Sequence, residues 1–366
     1  MGFPIDIPMV LSFATALAVA WILIPPIVRI SRAKQFVALP NGRTSHNGAI
    51  PTIGGVTTYA SFIIAAGLFM PNEYPAEFQY LVAAMIILFL IGMQDDLVGI
   101  HPRKKMAGQI IASLIVIIAA DVRMTTLHGF LGIGEIPYVF SLLISLLVFI
   151  GLINAFNLID GIDGLASGLG ITISIIFGIW LAKLGSQHYA ILSFTLAGSL
   201  IAFYRYNVFS TKHKLFMGDT GSMFLGFVFA TAAVKVLCCP VSPDSALFMN
   251  AFPVVVMSLM IIPIADTLRV MVLRVMRGRI PFFADRTHLH HDLLRLGFTH
   301  LQASGIIVTA NLTIFLLAVL LSHLPMLLLA VLVLGTAILV CHMPRMWLTL
   351  VVKQSEEPDT HRAVPD

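Results

Sequence analysis

Long apolar runs separated by short polar segments make up most of this sequence. A helix that crosses a membrane needs about 20 mostly apolar residues, and eleven runs meet or approach that length. They lie at residues 9–28, 54–70, 79–93, 106–120, 138–156, 165–183, 188–204, 221–239, 246–273, 303–322 and 325–343. The pattern predicts an all-α integral membrane protein, a polytopic bundle of about eleven transmembrane helices.

Prolines and glycines predict two local features of this bundle. Pro253 and Pro263 interrupt the run at 246–273, so the helix there should be kinked. Several glycines punctuate the polar segment 121–137, and they predict a turn or a small hairpin between two helices.

The composition agrees with a membrane protein. Apolar residues make up 58% of the chain and charged residues 11%, whereas soluble domains carry about 25% charged residues. So few charges cannot cover a water-soluble globule, which excludes a soluble enzyme and a disordered chain. Three cysteines are too few for a disulfide scaffold, and we expect them to be buried apolar side chains.

The basic residues predict the orientation. With the N-terminus outside and eleven crossings, 19 of the 22 Lys and Arg residues fall in cytoplasmic segments, and the C-terminus is cytoplasmic. We expect a single transmembrane domain at 1–352 and a polar cytoplasmic tail at 353–366. The predicted inner loops are 29–53, 94–105, 157–164, 205–220 and 274–302. They hold most of the polar residues, so function should reside at the cytoplasmic face.

Two adjacent carboxylates, Asp95 and Asp96, end the third apolar run. They repel each other, and a bound cation or phosphate chemistry would explain them, although a solvated helix end is an alternative. Lys104 and Lys105 begin the next run and would neutralise the pair or bind phosphate.

The stretch from Asn154 to Leu165 is rich in oxygen ligands. Asn154, Asn157, Asp160 and Asp163 lie within ten residues, between two apolar runs and with no basic residue. Such a set suits a hard cation such as Mg²⁺. A polar turn with capping side chains is the alternative, but it leaves the missing countercharge unexplained.

Phe216 to Ser222 leads into the eighth apolar run. The N-terminus of a helix binds anions, and Asp219 beside a phosphate makes sense if a metal bridges the two. As a plain helix cap Asp219 would also be ordinary. Phe216 would stack on a base or anchor the chain at the membrane interface.

A histidine cluster lies in the longest inner loop, where His288, His290 and His291 follow Arg286. Zinc or phosphate are the candidate ligands, and an exposed cluster of histidines is the alternative. Because the inner loops hold no thiolate, we interpret the histidines as donors to substrate oxygens and Arg286 as a phosphate clamp. Asp266 and Arg269 are expected to form a structural i, i+3 pair.

Together these motifs resemble the polyprenyl-phosphate N-acetylhexosamine-1-phosphate transferase family, most of all the bacterial undecaprenyl-phosphate N-acetylglucosamine-1-phosphate transferases. The resemblance spans residues 40–300 in the family's order. It rests on Pro40 to His46, Pro51 to Gly55, Asp95-Asp96, Asn154 to Leu165, Phe216 to Ser222 and His288 to His291. One departure is Ala38, which stands where the family usually has an Asp, so this loop is not expected to be catalytic.

The resemblance implies roles for these residues. Asp95, Asp96 and Asp219 match catalytic positions, and Asp219 and Asn157 match the ligands of Mg²⁺, with Mn²⁺ as a substitute. Asp163 and Phe216 match positions that contact uracil. The candidate substrate-binding residues are Asn154, Asp160, Asp163, Phe216, Arg286, His288, His290, His291 and Lys104.

The resemblance also implies a reaction. A transferase of this type moves N-acetylhexosamine 1-phosphate from a UDP-sugar to undecaprenyl phosphate, releases UMP and initiates a cell-surface polysaccharide at the bacterial inner membrane. The form His288-x-His290-His291 favours UDP-GlcNAc over UDP-MurNAc-pentapeptide, while another UDP-amino sugar stays open. Membrane lipid is an expected partner, a homodimer is compatible with this type, and nucleic acid is not expected.

Two other classes are weaker alternatives. A CDP-alcohol phosphotransferase would need further aspartates after Asp160-Gly161, yet no acidic residue occurs between Asp163 and Asp219. A transporter usually binds its substrate near the bilayer midplane, whereas the polar residues here gather at one face.

Overall fold

The computed structural model describes residues 5–38, 50–71, 76–240, 249–278 and 287–356. The helices are α1 Ile7–Ala33, α2 Gly54–Phe69, α3 Glu77–Val98, α4 Pro102–Leu114, α5 Tyr138–Ile159, α6 Leu165–Lys183, α7 Gln187–Phe209, α8 Gly218–Cys238, α9 Phe252–Ser258, α10 Ile261–Met276, α11 Leu289–Arg295, α12 His300–Leu320 and α13 Met326–Glu356. A π-helical turn, Ile115–Ala119, continues α4.

The helices confirm a mostly helical, polytopic membrane protein. Within the described ranges, seven helices are long and apolar enough to cross a membrane, or eight if α9 and α10 form one bent span. Each of the eleven predicted apolar runs overlaps a helix, but α2 is only 16 residues long. The number of eleven crossings and their sidedness stay predictions.

Two short antiparallel hairpins accompany the helices. Strand β1 (Val37–Ala38) pairs with β2 (Ile50–Pro51), and β3 (Thr126–Phe130) pairs with β4 (Ile133–Glu135). The second hairpin confirms the prediction from the glycines of segment 121–137. Gly132 takes a φ of +78° in its turn, a conformation that favours glycine.

Helix α8 lies at the centre of the bundle. All residues from Thr220 to Val234 are buried, and the helix packs against α2, α3, α5 and α6. Its phenylalanines meet aromatic rings of different neighbours: Phe224 contacts Phe62 at 5.1 Å between centroids, and Phe229 contacts Phe156 at 4.8 Å. These ring contacts pack α2 and α5 against α8.

Glycines bring two of these helices unusually close to the start of α8. A Cβ added to Gly55 in α2 would lie 2.1 Å from the backbone nitrogen of Gly221. A Cβ added to Gly92 in α3 would lie 2.5 Å from the Cα of Thr220. Small residues allow this backbone contact between membrane helices, and here they bring the ends of α2 and α3 to the residues around Asp219.

The predicted kink is confirmed as a 77° bend between α9 and α10. Pro253 and Pro263 lie in the first turns of the two helices, where a missing N–H removes no helical hydrogen bond. The buried carboxamide of Asn311 accepts a bond from Ile262 N–H at 3.1 Å and donates to the Leu259 carbonyl at 2.8 Å. Asn311 thereby satisfies backbone groups that the bend leaves free in an apolar surrounding.

The last helix continues past the predicted start of the polar tail. Helix α13 ends at Glu356, whereas the tail was predicted from residue 353. The remainder of the tail, residues 357–366, lies outside the described residues. The division of the chain at residue 352 stays a prediction.

Candidate active site

The predicted acidic residues meet where α3 and α5 end and α8 begins. Asp96, in the last turn of α3, accepts bonds from the backbone N–H groups of Asp219 at 2.7 Å and Thr220 at 2.9 Å. The hydroxyl of Thr220 donates to it as well, at 2.6 Å. A carboxylate at the N-terminus of a helix is stabilised by the free N–H groups and by the helix dipole. Both oxygens of Asp96 therefore hold the first turn of α8.

Asp95 has different partners, which explains how two adjacent carboxylates coexist. One of its oxygens accepts the Ile100 backbone N–H at 2.9 Å. The other lies 3.0 Å from the ammonium nitrogen of Lys105. Of the two lysines predicted to neutralise the pair or bind phosphate, Lys105 forms an ion pair with Asp95, whereas Lys104 is exposed.

Lys105 lies at the centre of the cluster. Its Nζ contacts Oδ2 of Asp219 and lies 3.1 Å from Oδ1 of Asn157, in addition to Asp95. Asn157 donates its Nδ2 to the other carboxylate oxygen of Asp219 at 2.7 Å and to Ser222 at 2.9 Å. These bonds orient the carboxamide so that its oxygen faces the ammonium group.

Asp160 follows α5 and borders the same cluster. Its carboxyl accepts a bond from the backbone N–H of Gly218, immediately before Asp219. Burial, and then the negative charges of neighbouring carboxylates led by Asp219, raise the pKa of Asp160 well above its ordinary value. Gly218 has a φ of +71°, and a Cβ there would lie 2.7 Å from the Asp96 carboxylate. Glycine is therefore needed at this position.

Asp163 forms a second ionic centre with two residues that the sequence did not indicate as site residues. Its Oδ2 accepts a bond from Lys214 at 2.6 Å and lies 3.1 Å from Nδ1 of His300. Burial alone would raise the pKa of Asp163, but the bonds with His300 and Lys214 outweigh it and lower the pKa. Asp163 is therefore an ionised, fixed carboxylate.

Backbone pairing joins the segment before α2 to the segment before α8. Pro51 accepts a bond from the Phe216 N–H, and Gly54 N–H donates to the Phe216 carbonyl, both at 2.8 Å. Phe216 itself is half-buried. A Cβ added to Gly54 would lie 2.4 Å from the Phe216 carbonyl oxygen, so this pairing requires a glycine at the start of α2. The motif Pro40 to His46 lies outside the described residues.

Asn154 lies one turn before Asn157 but faces a different neighbour. Its Nδ2 donates to Oε1 of Gln109 in α4 and to the Ile150 carbonyl, both at 2.8 Å. The bond to Gln109 joins α4 to α5, so it helps to place Lys105 opposite Asn157.

The histidines lie in and next to α11. His288 is 4% exposed and His290 2% exposed, which argues against the alternative of an exposed cluster. His290 packs against the loop after α5, because a Cβ on Gly161 would lie 2.1 Å from its Nε2. Burial, and then the neighbouring His291 and His288, lower the pKa of His290 well below its ordinary value. The structure thus brings His290 against Gly161, the residue after Asp160, while Arg286 lies outside the described residues.

The predicted structural pair Asp266–Arg269 is confirmed at 2.7 Å. Arg269 also donates to the carbonyls of Thr287 at 2.7 Å and Cys341 at 2.8 Å. The second oxygen of Asp266 lies 2.9 Å from Nδ1 of His288. This pair therefore ties α10, α13 and the histidine segment together beside the acidic cluster.

The donors of the cluster fit a hard divalent cation that binds jointly with a ligand. Within the described part of the chain, no three His, Cys, Asp or Glu side chains form a ready metal cage. Mg²⁺ commonly takes one or two carboxylates and completes its shell with water and substrate phosphates. Asp219 and Asn157 supply oxygen donors, and the ammonium group among them shows that these oxygens favour a positive charge.

Comparison with known proteins places these residues in a family. The model of glycosyl transferase family 4 matches residues 78–237, the part of the chain that contains Asp95, Asn157 and Asp219. A decaprenyl-phosphate N-acetylglucosaminephosphotransferase of Mycolicibacterium smegmatis is 31% identical over 292 residues, which cover 73% of this chain and 70% of the relative.

Relatives from enterobacteria carry names of the same kind of enzyme. An undecaprenyl-phosphate alpha-N-acetylglucosaminyl 1-phosphate transferase of Escherichia coli K12 is 30% identical over 288 residues, which cover 77% of this chain and 75% of the relative. The enzyme of the same name from Yersinia pestis is 30% identical, with 74% and 73% covered. The family predicted from the motifs is confirmed: the chain belongs to the polyprenyl-phosphate N-acetylhexosamine-1-phosphate transferases of glycosyl transferase family 4, and it is a sugar-phosphate transferase.

Proposed function

We propose that this enzyme transfers N-acetylglucosamine 1-phosphate from UDP-GlcNAc to undecaprenyl phosphate, with release of UMP, and so initiates a cell-surface polysaccharide. The observation that carries the proposal is the cluster of Lys105, Asn157 and Asp219, bordered by Asp95 and Asp160. The names of the relatives supply the polyprenyl phosphate acceptor and the GlcNAc phosphate group.

The site is proposed to face the cytoplasm at the bacterial inner membrane. Basic residues gather at the end of the bundle where the cluster lies, among them Arg103, Lys104, Lys212 and Lys214. Lys and Arg are retained on the cytoplasmic side of membrane proteins. UDP-sugars are cytosolic, so this orientation would let the nucleotide enter from water and the lipid phosphate from the bilayer.

In the proposed reaction, an oxygen of the lipid phosphate attacks the phosphorus that bears the sugar. A new P–O bond forms, the P–O bond to UMP breaks, and UMP leaves with the bonding electrons. Catalysis of this kind consists mainly of positioning and charge stabilisation. Lys105 is placed to neutralise phosphate oxygens at the centre of the cluster. Asp219 and Asn157 would hold Mg²⁺, or Mn²⁺, which offsets negative charge on the diphosphate.

The structure suggests different duties for the two adjacent aspartates. Both oxygens of Asp96 are occupied by the first turn of α8, so its proposed duty is to position Asp219. Asp95 is bound through one backbone N–H, through Lys105 and through the carboxyl group of Asp219 at the centre of the cluster, and not to the first turn of α8 through backbone groups. Asp95 is therefore proposed as the carboxylate that receives a proton from the attacking lipid phosphate.

The remaining predicted residues are proposed to bind the donor. Asp163 and Phe216 would contact uracil, and the buried histidine segment with Arg286 would contact the sugar phosphate. Asp160 lies between these regions, next to Gly218 and Gly161. Asn154 would act by fixing α4, while exposed Lys104 would meet the phosphates at the entrance.

Other donors and another class remain as alternatives. UDP-MurNAc-pentapeptide or a different UDP-amino sugar would use the same chemistry, but the names of the relatives and the His288-x-His290-His291 form favour GlcNAc. A transporter is disfavoured because the charged cluster lies at helix ends and not in mid-bundle.

A donor panel tests the proposal. Purified protein in detergent, supplied with undecaprenyl phosphate and Mg²⁺, would receive UDP-GlcNAc, UDP-GalNAc, a UDP-deoxy-amino sugar or UDP-MurNAc-pentapeptide, and UMP would be measured. We expect UDP-GlcNAc to give the highest kcat/KM. Preference for the pentapeptide donor would assign the protein to lipid I synthesis and overturn the proposed donor.

A further inference from the structure

The side chain of Lys105 occupies the place that a metal ion would need. Its ammonium group lies among Oδ2 of Asp95 at 3.0 Å, Oδ1 of Asn157 at 3.1 Å and Oδ2 of Asp219. Two of these three residues are the proposed ligands of Mg²⁺. The ammonium group and the metal would therefore compete for the same oxygen atoms.

The orientation of Asn157 fixes one of the oxygen atoms for which the two cations would compete. Its amino group is fixed by bonds to Asp219 and Ser222 at 2.7 and 2.9 Å. The carboxamide oxygen must then face the centre of the cluster, where Lys105 meets it. A lysine ammonium has three donors and no acceptor, and here it finds three acceptors.

A divalent metal cannot bind these oxygen atoms while the Lys105 ammonium group stays in place, because the two positive charges would repel each other at contact distance. If the metal displaced the ammonium group in the free enzyme, a half-buried positive charge would lose its partners, which is costly. A diphosphate ligand removes this cost, because its oxygens offer Lys105 new acceptors close by. Metal binding should then depend on the arrival of the nucleotide.

We propose that Lys105 is a resident cation that keeps divalent metal out of the free enzyme and yields its place when a diphosphate binds. This inference rests on the proposed function. It makes the metal and the UDP-sugar bind together, so the enzyme does not hold a loosely coordinated metal between turnovers. Lys104, its exposed neighbour, has no part in this exclusion.

The test is direct binding of Mn²⁺ to purified, nucleotide-free protein, measured from the electron paramagnetic resonance signal of free Mn²⁺. We expect Lys105→Met to lower the Kd of Mn²⁺ at least about tenfold, since one competing charge at contact distance is removed. Lys104→Met makes the same change in net charge and should leave the Kd within about twofold. Lys105→Arg keeps a cation and should resemble the wild type.

Two further measurements locate the effect. Adding Asp219→Asn to Lys105→Met should abolish the gain in affinity, because it removes a proposed ligand. Saturating UDP should narrow the gap between wild type and Lys105→Met to less than about threefold, because the diphosphate draws the wild-type ammonium group away. UDP also binds Mn²⁺ in solution. This binding lowers the free Mn²⁺ concentration equally for both proteins, so it does not change the ratio of their Mn²⁺ affinities.

Equal Mn²⁺ affinity in Lys105→Met and Lys104→Met would overturn the inference, as would a gain that survives Asp219→Asn. A gap that persists in saturating UDP would overturn the yielding step. These outcomes concern the metal site and not the proposed transfer reaction, which is tested separately by transfer activity of the wild type. Absence of that activity would overturn the proposed function whatever the metal measurements give.

Discussion

The backbone N–H and the hydroxyl of Thr220 both donate to the same carboxylate oxygen of Asp96, at 2.9 and 2.6 Å. Asp96 lies in the last turn of α3 and Thr220 in the first turn of α8, so this contact joins two helices at the site. It also separates the functions of two adjacent aspartates, because Asp95 turns to Lys105 instead.

Asp96→Asn should lower stability as well as turnover. An amide has one oxygen in place of two, so its NH₂ group would face a backbone N–H of α8, and an unpaired buried donor costs about 1–3 kcal/mol. Thermal unfolding in detergent should show a clear decrease in Tm. Asp95→Asn is the matched variant, with a strong loss of turnover and a smaller change in Tm. A Tm of Asp96→Asn equal to that of the wild type would contradict the anchoring contact.

Asp219→Asn should lower kcat about a thousandfold or more, while the protein still inserts into the membrane and folds. Loss of a group that stabilises charge at the transferred phosphate costs roughly 3–4 kcal/mol. The measurement is UMP release by purified protein, with the Tm and gel-filtration profile as controls for folding. Near-normal turnover in a folded variant would show that Asp219 does not hold the metal.

Gly55→Ala should destabilise the protein, whereas Gly67→Ala in the same helix should not. A Cβ at residue 55 would lie 2.1 Å from the Gly221 backbone nitrogen, and nothing lies within 4 Å of a Cβ at residue 67. Overpacking costs about 1–3 kcal/mol or more, while alanine improves an open helical site by up to about 1 kcal/mol. Unfolding temperatures of both variants check this contrast, and similar values would rule out the close contact of α2 with α8.

A cysteine at Glu135 should react with an impermeant thiol reagent in intact cells, and one at Arg103 should react only after the membrane is permeabilised. Both residues are exposed, at the hairpin and at the start of α4. The background lacks Cys238, Cys239 and Cys341. The reverse labelling pattern would overturn the orientation and with it the cytoplasmic site.

Structural features that are determined by residues close together in the sequence could be predicted from it. The apolar runs, the bend at Pro253 and Pro263 and the glycine hairpin follow from local chemistry. The Asp266–Arg269 pair was found because its members are three residues apart, on one face of a helix.

Contacts between distant segments could not be read from the sequence. Lys214 and His300 reach Asp163 across 51 and 137 residues, and no local pattern marks them. Lys104 and Lys105 look alike in sequence, and only the packing of α4 against α5 decides which one enters the cluster. The helical spacing of α4 partly indicates that Lys105 faces the bundle, since Lys105 lies on the same helix face as the buried residues Gly108 and Ala112.

The central claim is that the sugar and its phosphate move together to a polyprenyl phosphate. The most direct test supplies UDP-GlcNAc labelled with ³²P at the β-phosphorus and ³H in the sugar, with undecaprenyl phosphate and Mg²⁺. We predict that both labels enter the lipid in a 1:1 ratio with equimolar release of UMP, and that excess EDTA prevents this. Transfer of ³H alone, with ³²P left in UDP, would contradict the account, as would both labels remaining in water-soluble material.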